Sequence, residues 1–518
     1  METDVLVIGG GVTGAGIVRD LAQRGLRVIL VDKKDLNAGA SGGNHGLLHS
    51  GARYVCSDPE AAVECRRELE ILKKTAPHCV EDTGGLFVAV QGDDENYIAD
   101  FPGYCEKSGI PHRALNLAHA REMEPALSDK AIAVYQVNDA CINPFKLSIE
   151  NVNAALERGG IYLNQCKLEG FDTERDRITA ARVRNTVTGI ETKIRAKIYV
   201  NAAGAWAGEV ASRAGITIPM VFSKGTLLVT ANRLTHRVIN RLRKASDGDI
   251  LVPGGVVSIL GTTSVRVETP DGVAPTVEEV DYMVDQGEQM VPQLGSCRYI
   301  RAYAGVRPLV STGGGDDRSV TRGYSLLDHG VQGLGNFITI TGGKLSTYRL
   351  MAEKTCDMVC DKLHCPTPCR TQELDLPATP DGDWSEPGIM GDTVFNPHGL
   401  TDPMLCECEM VPASAVDTVV DALKHSGVIP DLTAIGLRTR IGKGPCQGAF
   451  CSLRVLSHLH DTGALGQGGG LGGLKRFLDG RWKGEQPLLW GNALTQSSLK
   501  EMIHCGLFGL EKIEKGGL

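Results

Sequence analysis

Three features of this sequence predict an α/β fold with a buried parallel sheet, a second β-rich domain and a small cysteine-bearing domain. The chain opens as strand, glycine turn, helix and strand, with Gly9, Gly11 and Gly14 spaced G-x-G-x-x-G. Residues 216–266 are dense in β-favouring segments such as VFSKGTLLVT and ILVPGGVVSILGTTS. Finally, Cys406-x-Cys408 and Cys446-x4-Cys451 lie beyond a stretch rich in proline.

The opening unit is the most informative. Val5-Leu6-Val7-Ile8 is a short apolar run of the kind buried on both faces of a parallel sheet. A helical pattern carrying Ile17 and Leu21 follows the glycines, with Gly25 as its stop signal, and a second strand, Val28 to Val31, ends at Asp32. In this context Gly9 permits the tight turn, Gly11 lets backbone approach a pyrophosphate, and Gly14 lets helix and strand pack closely. Asp32 stands where a carboxylate accepts from a ribose hydroxyl. The motif leaves NAD and FAD open.

Further along, PEAAVECRRELEILKK (59–74) predicts an amphipathic helix, Leu86 to Val90 a strand, and NPFKLSIENVNAALERGG (143–160) a helix with Pro144 near its start. Lys193 to Gly204 predicts a strand ending in a small-residue turn, and FITITGGKLSTYRLM (337–351) a strand, a Gly-Gly turn and a helix start. The basic piece at His236, Arg237, Arg241, Arg243 and Lys244 reads as a solvated helix face. Residues 371–401 read as a Pro-rich linker, 402–460 as a small domain, and 461–518 as a tail that begins with a loose Gly-rich piece. In that tail Trp482, Pro487, Leu488, Leu489 and Trp490 suit either a partner-docking surface or packing onto the chain's own body.

Composition narrows the function classes. The 518 residues suffice for about three domains, with 42% hydrophobic and 22% charged residues, ordinary for a soluble globular protein. A net charge of −8 without a long basic tract argues against nucleic acid as a partner. No apolar run approaches the roughly 20 residues of a membrane-spanning helix, and Glu2 and Asp4 lead straight into the first strand, unlike a secretory signal. The chain therefore reads as intracellular, and its 16 cysteines as metal, redox or buried thiols rather than disulfides.

Four segments, GASGGNHGLLHSGARY (39–54), VNAAGAW (200–206), YAGVRPL (303–309) and TGGKLSTYR (341–349), occur in the order found in FAD-dependent glycerol-3-phosphate dehydrogenases, which the chain resembles. With LCECE, GPCQGAFC and the ending QPLLWGNAL added, the resemblance narrows to the catalytic subunits of the anaerobic type and runs from near Thr3 to the final residues. It implies an FAD-binding Rossmann-like domain over 1–370, of the glutathione reductase/D-amino acid oxidase type, interleaved with a substrate or cap domain at about 85–140 and 205–325. Cofactor contacts are then expected from Gly9, Gly11, Gly14, Asp32, Ser41, His45, Gly46, Leu47, Ala203, Gly204, Gly342, Gly343, Lys344 and Leu345.

Arg53, Arg307 and Lys344 are cations in Gly-rich loops, suited to a phosphate dianion, for which Arg offers a planar fork and Lys a point charge. Tyr54 is placed to bind a substrate hydroxyl. His49 is the candidate base, a satisfied structural histidine being its competing reading, and His45 is the second choice. The resemblance sets the Thr347 hydroxyl near flavin or substrate.

Cys406, Cys408, Cys446 and Cys451 have spacings that suit an iron–sulfur cluster or zinc, and the resemblance implies [2Fe–2S]. Cys356, Cys360, Cys365 and Cys369 read as buried or incidental thiols. The implied activity is quinone-linked oxidation of sn-glycerol 3-phosphate to dihydroxyacetone phosphate. Electrons would leave through the cluster to B and C subunits that hold the chain on the inner face of the cell membrane. The alternatives are a flavin-dependent hydroxy-acid or amino-acid dehydrogenase, or a non-catalytic electron-transfer protein.

Overall fold

All of Val5, Leu6, Val7 and Ile8 are buried, as a strand covered on both faces must be. They belong to β1 (Glu2–Ile8), which pairs in parallel with β2 (Val28–Val31) and with the strand Glu191–Asn201. Ile161–Leu163 extends this parallel sheet beside β2, and Phe337–Gly342 extends it beside Glu191–Asn201. Three antiparallel strands complete eight: Cys166–Glu174, Arg177–Asn185 and Tyr324–Asp328. Between β1 and β2, α1 (Val12–Gln23) ends where the Leu26 amide donates to the Leu21 carbonyl and Gly25 takes φ +84°, the left-handed stop expected of it. The helices Pro144–Leu156 and Tyr348–Leu363 pack beside α1. The computed structural model describes residues 1–310, 323–378, 402–465 and 470–513.

A second, nine-stranded sheet gathers Gly85–Val90, His112–Leu115 and Ala131–Val137 with the strands between Met220 and Val310. The basic piece at 236–244 is corrected here. Val238–Arg241 is a buried strand lying between Gly85–Val90 and Ile250–Gly254, not a solvated helix. The β-branched Val238 and Ile239 favour the pleated interior. Arg241 is neutralised by Asp93 at 2.6 Å and Arg243 by Asp249 at 2.8 Å, so the positive charges are paired as they enter the fold.

Residues 371–378 lie against the first domain: Arg19 donates to the Leu374 carbonyl at 2.9 Å, and the Leu376 amide donates to the Thr75 carbonyl at 2.6 Å. Residues 379–401 lie outside the described residues. The unit beyond them has two short strands, Met404–Cys406 and Val411–Pro412, and helices Ala413–His425, Leu432–Thr439 and Cys451–Asp461. Its core residues Val416, Val419, Ile435 and Val455 belong to the same apolar cluster as Ile17, Ile149 and Val152. The tail divides. Pro487 and Leu488 turn inward, and the Ala302 amide donates to the Gly484 carbonyl at 2.7 Å, whereas Trp490, Leu494, Leu499, Met502 and Leu507 remain exposed. No helix among the described residues is long and apolar enough to cross a membrane.

Candidate active site

The carboxyl ends of three adjacent parallel strands supply the floor of the site: Gly9 after β1, Ala203–Gly204 after Glu191–Asn201, and Gly342–Gly343 at the end of the strand that starts at Phe337. Ligands of open α/β sheets bind at this edge. A cavity of about 330 Å³ runs along it, lined by Gly9, Gly11, Asp32, Ser41, His45, Leu47, Ala203, Gly204, Gly342, Gly343, Lys344 and Leu345. Two expected cofactor residues stand back from its wall. Gly14 serves packing: a Cβ there would lie 1.9 Å from the Gly9 carbonyl oxygen. Gly46, at φ +71°, turns the loop where a Cβ would lie 2.7 Å from the Ile142 carbonyl oxygen.

These surroundings fit a dinucleotide. Gly11 caps α1, whose N-terminal amides and dipole favour an anion, and Ser41 Oγ accepts from the Val12 amide at 3.0 Å. Asp32 is half-buried, and desolvation pushes its pKa up. Its oxygens accept from the Gly10 and Lys34 amides, each at 2.7 Å, and a carboxylate retains further lone pairs for ribose hydroxyls.

The loop from Ala40 to Val55 is shaped from within and from outside. Asn44 accepts from the Gly46 amide at 2.8 Å and donates to the Ser41 carbonyl at 2.7 Å, while Tyr303 Oη donates to the Asn44 carbonyl at 2.7 Å. Gly43 meets Gly305 backbone to backbone: a Cβ on Gly305 would lie 2.1 Å from the Gly43 oxygen. From the far side the buried Asp139 accepts from the Ser50 amide at 2.7 Å and from Asn240 at 3.0 Å, fixing the turn that carries His49 and Arg53. His49 is buried. Its amide donates to Ser346 Oγ at 3.1 Å, and its Nε2 lies 3.4 Å from Tyr54 Oη. His45 Nδ1 accepts from the Leu47 amide at 3.3 Å, which suits a loop-shaping residue.

The three cations reach the same cavity as His49 and Tyr54. Arg53 also pairs with the buried Asp249 at 3.1 Å, and Asp249 binds Arg243 through a second oxygen, so two guanidinium groups share one carboxylate. One positive charge is left over. Arg307 projects from Tyr299–Val310 across Gly225, where any Cβ would lie 2.6 Å from its Nη2. Its fork donates to the Thr263 carbonyl at 3.1 Å, to Thr262 Oγ1 and to Ser223 Oγ at 3.4 Å. Lys344 Nζ lies 4.8 Å over the Tyr54 ring. Thr347 differs from expectation: it is buried behind the cavity wall, and its hydroxyl bonds the Lys344 main chain because the short helical turn there needs a cap. Sequence reasoning missed Asp139, Asp249, Gly43, Gly225, Gly305 and Ser346. Gly43, Gly305 and Ser346 lie within the quoted motifs but were not singled out, and no local pattern marks the others; each matters through a partner distant in sequence.

The family model described as FAD dependent oxidoreductase matches residues 4–349. Over 100% of this chain and 99% of the relative, the sequence is 42% identical to the A subunit of the anaerobic glycerol-3-phosphate dehydrogenase of Escherichia coli strain K12. This chain belongs to that family of FAD-dependent oxidoreductases. The corresponding A subunit of Haemophilus influenzae is 38% identical, covering 99% of this chain and 94% of its own length. The solved glycerol-3-phosphate dehydrogenase of Bacillus halodurans, complexed with FAD, shares the fold at a TM-score of 0.61 and 21% identity, over 97% of this chain and 95% of its own.

In this flavoprotein the four C-terminal cysteines converge. The Cys446 sulfur is in contact with the thiols of Cys408 and Cys451, and Cys451 also contacts Cys406. Thiol donors and the nearby Gly448 and Phe450 amides hold Cys446 far below the usual thiol range, while Cys408 and Cys451 are pushed up. Gly444 makes room, since its Cβ would lie 2.3 Å from the Cys408 Cβ. Thiols gathered in this way are soft donors of the type that iron–sulfur clusters and zinc take. Among the described residues no three His, Cys, Asp or Glu are arranged as a metal-holding group. Cys356 and Cys360 are buried on one helix, the former donating to the Ile17 carbonyl at 3.6 Å, and Cys369 bonds Thr371.

Proposed function

We propose that this chain oxidises sn-glycerol 3-phosphate to dihydroxyacetone phosphate and passes the electrons to partner subunits and a quinone. One observation carries the reading: three cations, a histidine and a tyrosine line the same cavity as the glycine turn, Asp32 and Ser41. FAD, when bound there, supplies the acceptor for two electrons and the C2 hydrogen. The residues do the rest. Arg307, Lys344 and the surplus charge of the Arg53–Asp249–Arg243 group hold the phosphate dianion and fix the substrate's direction. His49 takes the C2 hydroxyl proton, and Tyr54, whose Oη lies 3.4 Å from its Nε2, stands beside it in the cavity to bind the substrate hydroxyl. The close backbone approach of Gly43 and Gly305 fixes the loop against the strand that carries Arg307.

Anaerobic addition of sn-glycerol 3-phosphate should bleach the flavin absorbance of the purified chain. Glycerol and a 2-hydroxy acid at the same concentration should not. Equal bleaching by the hydroxy acid would reject the phosphate reading.

We assign the cluster sites to Cys406, Cys408, Cys446 and Cys451, with [2Fe–2S] ahead of zinc because one-electron chemistry has a use beside a flavin. The exposed face around Trp490, Leu494 and Leu499 is assigned to a partner protein that holds the chain at the membrane. Substituting Cys408→Ser should remove most of the bound iron and its visible absorption while FAD content and single-turnover flavin reduction stay near wild type. Unchanged iron, or zinc in the wild-type chain as purified, would overturn the cluster assignment.

A further inference from the structure

The cysteine-bearing unit grips the cofactor site at two points. Arg438, near the end of helix Leu432–Thr439, is almost fully buried and places Nη1 2.9 Å from Asp35 Oδ2. Asp35 lies three residues beyond Asp32, the candidate ribose acid. Its other oxygen accepts from Tyr162 Oη at 3.1 Å and from the Leu36 amide at 2.8 Å. The same loop is tied back to the glycine turn, because the Asn37 amide donates to the Gly10 carbonyl at 3.0 Å. Arg438 is aimed by its own helix, whose N-terminus Asp431 caps through the Ala434 amide at 2.7 Å.

The second grip is Lys443, three residues before Cys446. Its Nζ lies 3.9 Å over the Phe145 ring. Phe145 in turn backs the Gly42 turn of the flavin loop, where a Cβ would lie 3.2 Å from that ring. Asn37 joins the two grips: it donates to the Pro144 carbonyl at 2.7 Å and accepts from Ser148 Oγ at 2.8 Å, on the helix that carries Phe145.

We propose that Arg438 and Lys443 are positioning residues for the FAD site, so that docking of the cysteine unit and retention of FAD are thermodynamically linked. The unit braces the Asp32–Asn37 loop and the Gly42 turn from outside. A chain whose cysteine unit is loosened therefore holds FAD less well, and by reciprocity FAD tightens the cysteine unit. Redox traffic is then confined to molecules in which both halves are in place. The inference rests on the reading of the cavity as an FAD site.

The test uses the full-length chain stripped of FAD and titrated with FAD by fluorescence. Arg438→Met should weaken FAD binding by about tenfold and the double variant Arg438→Met/Lys443→Met by more, within the usual range of coupling. Lys424→Met, exposed on the neighbouring helix, should match wild type. In the wild-type chain, removal of FAD should accelerate deuterium labelling of helix Leu432–Thr439 and of residues 440–445, read by mass spectrometry. A merely structural role would lower the melting temperature without changing FAD affinity or FAD-dependent labelling. Should Arg438→Met not fold, Arg438→Lys, which keeps the charge but loses the fork, should show a smaller loss of affinity. FAD affinity within about twofold of wild type in folded Arg438 variants, or labelling indifferent to FAD, overturns the proposal, since linkage requires both to move. Failure of the wild-type chain to bind FAD overturns the cofactor reading instead.

Discussion

Replacing Arg307 by alanine should cost about a thousandfold in kcat/KM for sn-glycerol 3-phosphate, because the two charge-assisted hydrogen bonds of its fork, about 1.5–3 kcal/mol each, are lost. Arg307 is well placed to have so large an effect. Its backbone is fixed by antiparallel pairing opposite Ser223, and its fork is steered by Thr262, Thr263 and Ser223 over the space that Gly225 leaves. A phosphate at the cavity wall thus meets a guanidinium whose direction is already set, with little rotamer entropy left to lose. Arg307→Lys should recover only part of the loss, since a point charge replaces a planar fork. The check is steady-state kinetics with a dye acceptor, with glycerol as a second substrate. The phosphorylated substrate should suffer far more. Comparable losses on both would assign Arg307 to holding the flavin or the fold.

Gly14→Ala should produce a chain that retains almost no FAD. The added Cβ would lie 1.9 Å from the Gly9 carbonyl oxygen and 3.1 Å from its carbon. Both atoms are backbone, so no side chain can swing away. Either α1 moves off β1 or the glycine turn opens, and both displace the amides that face the cofactor. Overpacking in cores costs about 1–3 kcal/mol when side chains yield, and a backbone clash should exceed that. Flavin-to-protein ratio after gel filtration, with the melting temperature, measures the effect. Gly103→Ala is the control: its Cβ would enter open space on helix Glu95–Lys107, and stability should be unchanged or slightly raised. A Gly14→Ala chain with stoichiometric FAD would mean that the turn tolerates displacement and that Gly14 does not set the cradle.

The sequence by itself determined whatever is governed by local chemistry. The turn at Gly9 and the stop at Gly25 need positive φ, at +115° and +84°, and only glycine adopts those values freely. The apolar run Val5 to Ile8, short and closed by the glycine turn, reads as a strand covered on both faces. Helix starts at Pro59 and Pro144 carried their own signals, and in the structure Asp58 and Asn143 cap them by accepting main-chain amides. Most of the residues that line the cavity were legible for the same reason, since they cluster in Gly-rich segments at the ends of strands.

What only the tertiary structure decided are the partnerships between residues distant in sequence. The piece around Arg241 resembles an exposed basic helix until Asp93 and Asp249 arrive to neutralise it inside a sheet. Arg53 looks like a bare phosphate ligand until Asp249 binds both it and Arg243. Thr347 looks like a site hydroxyl until the turn it caps uses that oxygen. The tail's Leu488 and Trp490 read alike as apolar anchors, yet one completes a core and the other faces outward. In each case the deciding atoms come from another segment, and side-chain charge and apolarity are neutral about direction until that segment is in place.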